Sequence, residues 1–125
     1  MKEIENIKYY QDSINFILDI QAEDGAISWE KDAKFDPWDH VESAMALTIA
    51  GEIESAQKAY LWMQENQEKE GGWFSEYKLG SPSKRKIETN FAAYLGVGLW
   101  HYYLITEDKG FLKEQSSVVD KAMEF

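Results

Sequence analysis

Cysteine is absent from the 125 residues, which removes disulfides, thiolate nucleophiles and thiolate zinc ligands from the chemistries open to the chain. Arginine occurs once, at Arg85, in a sequence of net charge −10. A surface that neutralises phosphates and releases their counterions needs the opposite balance, so nucleic acid and anionic membranes are not expected partners. Long apolar runs are missing too. Met1 to Glu5 alternates charge with hydrophobe and does not read as a signal peptide, so the expected location is cytoplasmic. The longest uncharged stretch, Thr89 to Thr106, is interrupted by Asn90, Gly96, Gly98 and His101, and reads as a buried helix rather than a transmembrane segment.

Large apolar side chains are plentiful: five Trp, seven Tyr and six Phe within a hydrophobic fraction of 44% are ample for one core, and the length suits a single domain spanning residues 1–125. Periodicity divides that domain into five helices. Ile4, Ile7, Ile14, Ile17 and Leu18 mark a first helix from Lys2 to about Gln21. Asp36-Pro37 supplies a cap and a first-turn proline for a second, with Val41, Ala44, Met45 and Thr48 on one stripe and Gly51 ending it. Ile53, Ala56, Tyr60 and Met63 mark a third, Thr89 is the expected cap of a fourth, and Phe111, Val118, Ala122 and Phe125 mark a fifth.

These helices are of two kinds. The first, third and fifth carry many charges, whereas residues 41–50 hold only Glu42 and residues 89–106 hold no Asp, Glu, Lys or Arg. A helix apolar all round needs protein on every side, so the expected packing is all-α: antiparallel hairpins in two layers, helices two and four inside, the others outside. Gly96 and Gly98 suggest close backbone approach within the inner layer.

A repeat with an offset of 46 lays Gln21 on Gln67, Gly25 on Gly71 and Phe16 on Trp62, with Trp29 and Trp73 two residues out of step. Phe16-x4-Gln21-x3-Gly25-x3-Trp29 and Trp62-x4-Gln67-x3-Gly71-Gly72-Trp73 resemble the glutamine–tryptophan repeats of the prenyltransferase and squalene–hopene cyclase group. That resemblance implies part of an (α/α)6 toroid, with Gln21, Trp29, Gln67 and Trp73 clamping outer helix ends. A second resemblance, through the aromatic helix from Tyr94 and the segment Thr106-Glu107-Asp108 to Phe111-Leu112, is to the six-hairpin glycosidases. Both groups close with six hairpins, so the chain is expected to form the amino-terminal part of a longer toroid or to self-associate.

In such toroids the cavity is lined by the starts of the inner helices. Two segments qualify. Phe35 to Glu42 packs three carboxylates, His40 and Trp38 around one helix start, and Lys86 to Asn90 approaches the other. Asp36 has a capping role and Asp39 a favourable first-turn charge. Glu42, alone in a dry helix, is expected to be buried and so to act as a general acid or base. Asp39, Glu42 and Glu88 are therefore the candidate catalytic carboxylates, a set suited to glycoside hydrolysis. Trp38, His40, Trp73, Asn90 and Tyr94 are the candidate substrate contacts. Each has an alternative reading: His40 as a surface or hydrogen-bonding residue, Glu88 as an exposed residue before a cap, and the aromatics as core.

Prenyltransferase or terpene-cyclase chemistry on an isoprenoid leads the expectation from resemblance, although the aspartate-rich motifs it implies are missing. A carbohydrate-active enzyme using paired carboxylates is the alternative, and a non-catalytic helical scaffold a third. The sequence names no cofactor and shows no metal-ligating constellation.

Overall fold

The computed structural model describes residues 10–125. Ile4 and Ile7, expected to begin the first helix, lie outside the described residues. The elements are α1 (Gln11–Ile20), β1 (Lys34–Phe35), α2 (Pro37–Ile49), α3 (Ile53–Glu65), β2 (Phe74–Lys78), β3 (Ser81–Ile87), α4 (Thr89–Thr106) and α5 (Lys109–Glu124).

The chain is not all-α. A three-stranded antiparallel sheet of order β1-β2-β3 accompanies the five helices among the described residues, which overturns the all-helical toroid expectation. Its hairpin turns through Leu79 and Gly80, both at positive φ (49° and 80°), the two-residue geometry that matches the twist of antiparallel strands. Lys34 pairs with Lys78 and Phe35 with Tyr77, bringing residues more than forty positions apart into register. Strand β3 is the outer edge. Pro82 and the run Lys84-Arg85-Lys86 keep that edge charged and poorly suited to further pairing.

The sheet is pinned to the helices by an aromatic cluster. The Phe35 and Tyr77 rings stack at 5.6 Å, and Trp62 of α3 meets both edge-on, at 5.0 Å and 4.9 Å. Such pairs add to the apolar area they bury.

Helix α2 packs on α3 and on α4, and α5 packs on α4. Asp36 caps α2 by accepting the Asp39 N–H at 2.8 Å, with Pro37 at the first helical position. Thr89 does not cap α4: the residue at that position is Glu88, and it makes no side-chain cap bond. Nor is α4 buried all round. Leu95, Gly98, Leu99 and Tyr102 face the core, while Val97, Trp100, Leu104 and Ile105 are exposed. Gly98 is the close approach the sequence suggested: a Cβ there would lie 2.5 Å from Val41 Cγ1, whereas one on Gly96 would meet nothing nearer than 3.8 Å.

The glutamine repeat is a helix-end clamp. Gln21 Nε2 donates to Gly25 O at 3.1 Å and to Ser55 O of α3 at 2.9 Å. Gln67 Nε2 donates to Gly71 O at 2.9 Å and to Val118 O of α5 at 3.0 Å. Gly25 and Gly71 adopt φ of +98° and +109°, and a Cβ on either would sit 2.2 Å from a backbone carbonyl oxygen, of Lys58 and Lys121 respectively. Only glycine fits both demands. In the second copy Trp73 completes the clamp: fully buried, it donates Nε1–H to Met63 O at 2.8 Å. In the first copy the same register falls on Ile27, which is buried, and Trp29 lies outside the clamp.

Candidate functional site

The loop between α1 and β1 is held from inside by His40. Its ring is fully buried and accepts the Ile27 N–H at Nδ1 (3.1 Å), so the proton sits on Nε2 and is donated to Ala59 O at 2.8 Å. Burial pushes the imidazole down to about 4, keeping it neutral. His40 is therefore a structural bridge between the loop and α3. It is neither a surface residue nor a substrate contact. Trp73, engaged in its clamp, is likewise removed from the candidate contacts.

With Ile27 taking the buried position, Trp29 is 49% exposed and free to reach the start of α2, where its Nε1–H donates to Asp39 Oδ2 at 2.8 Å. Beside this pair lies a cleft of about 360 Å³ lined by Trp29, Asp36, Trp38, Asp39, Glu88 and Asn90, with Ser75, Glu76 and Lys84 from the sheet. The starts of α2 and α4 thus meet at one opening, and the hairpin forms its wall. Glu88 is partly exposed there and ion-paired with Lys86 at 3.2 Å.

Two carboxyls lining the cleft, Asp36 and Asp39, influence each other. Partial burial raises Asp36 above the usual carboxylate range; the Asp39 backbone N–H works against this, and the charge and side chain of Asp39 work with it. Asp36 therefore retains a proton more readily than a solvated aspartate. On the sheet, the Ser83 hydroxyl bonded to Glu76 at 2.9 Å, together with Lys34 and Lys84, holds the Glu76 carboxyl below its ordinary range despite some desolvation.

Glu42 differs from its expected setting. It is exposed, not buried. Its Oε1 accepts from Trp38 Nε1 at 2.8 Å and from Tyr94 Oη at 3.1 Å. Those two rings stack face to face with centroids 3.8 Å apart and an interplanar angle of 4°. Glu42 thus ties together an aromatic pair spanning α2 and α4, at the edge of the cleft. It also lines a second cleft, of about 310 Å³, on the other side of the Trp29–Asp39 pair.

Of the residues singled out in the sequence, Asp39, Glu88, Trp38 and Asn90 share one cleft, Tyr94 backs Trp38, and Glu42 lies across the Trp29–Asp39 ridge. Trp29 was read as a clamp, and its freedom was legible only by counting two residues on from each repeat glycine, to Ile27 and Trp73. The contributions of Ser75, Glu76 and Lys84 went unseen with the hairpin. Among the described residues, no group of three or more His, Asp or Glu side chains could hold a metal ion, and no helix is long and apolar enough to cross a membrane.

No family model matches the sequence. Over 109 residues, 87% of the chain, it is 41% identical to the MMP endo-(1,4)-3-O-methyl-alpha-D-mannosidase of Mycolicibacterium hassiacum. This homologue is a glycosidase. The chain spans 30% of its length. The likeness favours the carbohydrate-active alternative, and nothing in it supports the prenyltransferase or terpene-cyclase expectation.

Proposed function

We propose that this chain carries a glycoside-hydrolysing site acting on an α-mannoside whose sugars bear O-methyl groups. The observation behind the reading is the cleft that Asp39 and Glu88, from the starts of two different helices, line together with Trp29 and Trp38. The 41% identity to an O-methylmannosidase supplies the substrate class. Because the chain spans only part of that relative, hydrolysis by this chain itself belongs to the proposal.

The proposed chemistry uses two carboxyl groups. The proton held by the Asp36–Asp39 pair, which the burial of Asp36 and the neighbouring Asp39 charge retain, is delivered through Asp39 to the glycosidic oxygen as the C1–O bond breaks. Glu88 takes a proton from the water that forms the new C1–OH bond. One water is consumed and one reducing end is released. The tryptophan rings offer flat apolar faces to the C–H faces of the sugars, and Asn90 offers both a donor and an acceptor to hydroxyls. Glu42 acts through the rings it bonds, as a positioning residue for Trp38 and Tyr94.

The test is release of new reducing ends from α-1,4-linked 3-O-methylmannose oligomers by the full chain and by Asp39→Asn. Asparagine keeps an oxygen for the Trp29 N–H but cannot deliver the proton. The expected result is turnover by the wild type and a loss of about 10²-fold or more in kcat in the variant, with unchanged thermal unfolding. Absence of turnover by the wild type, or equal turnover by both, would overturn the assignment.

A further inference from the structure

The cleft on the far side of the Trp29–Asp39 ridge has a different character. One wall is α1, contributing Phe16, Ile17 and Ile20; Ala46 of α2 adds to the apolar lining, and Ser28, Asp39, Glu42 and Ser43 supply its polar side. Its volume of about 310 Å³ falls at the lower end of small-ligand sites. Phe16 is 51% exposed, so its ring is not consumed by the core. Ile17 and Ile20 are only partly buried against the core.

We infer that this cleft is a subsite for an O-methylated sugar, with the methoxy group lodged against Phe16, Ile17 and Ile20 while ring hydroxyls face Asp39 and Glu42. The inference rests on the glycoside-hydrolysis reading for its choice of ligand. Two observations and one general requirement carry it. The cleft shares Trp29 and Asp39 with the carboxylate cleft, so one glycan laid across the ridge would contact both. Cleavage within a chain, rather than at its end, needs sugar sites on both sides of the reacting bond. The α1 wall presents no hydrogen-bonding side chain: Phe16, Ile17 and Ile20 would strip water from a hydroxyl and return nothing, but would accept a methyl ether. A site of this kind discriminates by one methyl group in an apolar pocket, a preference on the order of tenfold to a hundredfold.

Two mannose oligomers of equal length, with and without 3-O-methyl groups, distinguish the possibilities. Binding to the full chain is read by tryptophan fluorescence, and hydrolysis by reducing ends, in separate measurements. The wild type is expected to bind the methylated oligomer at least about tenfold more tightly. Phe16→Ala, at an exposed position, is expected to weaken that binding several-fold while binding of the unmethylated oligomer stays within about twofold. Ile20→Ser, which supplies a hydroxyl to the wall, is expected to narrow the preference in the same direction. Equal binding of the two oligomers by the wild type, no binding of either, or an equal loss for both in Phe16→Ala overturns the subsite. Methyl-selective binding without hydrolysis upholds the subsite and sinks the hydrolase reading; hydrolysis without methyl selectivity does the reverse.

Discussion

Acid should loosen this protein through one imidazole. His40 is fully buried and neutral, its Nδ1 accepting from Ile27 and its Nε2–H bonded to Ala59 O, and its folded value lies near 4 against 6.5 for the free side chain. A histidine whose folded value is depressed binds its proton more readily in the unfolded chain. Its contribution is therefore intact above pH 6.5, falls as the pH drops from 6.5 toward 4, and levels off below that. Between pH 8 and pH 5 the loss amounts to about 2 kcal/mol, from 1.36 kcal/mol per unit of difference in bound protons. Stopping at pH 5 stays above the range in which Glu76 gives up its own stabilising ionisation. Asp36, with its raised folded value, works in the opposite sense and partly masks the effect, so the comparison must be made against a variant. Urea unfolding of the wild type and of His40→Gln at both pH values isolates the histidine: the wild type should lose the larger amount, and the variant, though weaker at pH 8, should lose about 2 kcal/mol less on acidification. Equal losses in both proteins, or a resonance assigned to the His40 imidazole that titrates near 6.5 in the folded state, would refute the reasoning.

The two glutamine clamps should be of similar strength and act separately: Gln21→Leu and Gln67→Leu each remove two bonds to backbone carbonyls and are expected to cost about 1–3 kcal/mol in urea unfolding, with the double variant close to additive. Strong non-additivity would show that the two helix ends form one network. For Glu42, the oxygen that accepts from Trp38 and Tyr94 survives in Glu42→Gln, so a positioning role predicts turnover within a few-fold of wild type. A loss of 10²-fold or more would make Glu42 a catalytic carboxylate after all.

Much of the local structure follows from short-range pattern. The Asp36-Pro37 start of α2, its end near Gly51 and the repeated glutamine–glycine spacing depend on neighbours within one or two turns, and each is where periodicity and capping chemistry put it. Trp29 shows the limit of reading by residue type. Two tryptophans near two glycines looked equivalent, yet Ile27 fills the buried position and releases Trp29 to bond Asp39. The sheet shows another. Strand β1 is two residues long and has no pattern of its own, and its partner lies far along the chain; the Leu79–Gly80 turn was the only local sign.

The sequence by itself determined where the helices lie, the Asp36 cap of α2 and the glutamine–glycine part of the helix-end clamps, because backbone hydrogen bonding and side-chain period are settled within a few residues. It also carried the choice of Asp39, Glu88, Trp38 and Asn90 as candidates, because carboxylates and polar or aromatic residues gathered at the start of an otherwise apolar helix stand out in composition. Only the tertiary structure decided which of these residues meet. It buried His40 and Trp73, brought Glu42 out to tie two aromatic rings, and folded a hairpin in as a wall. Burial and convergence belong to contacts between elements distant in sequence, and no local pattern encodes them.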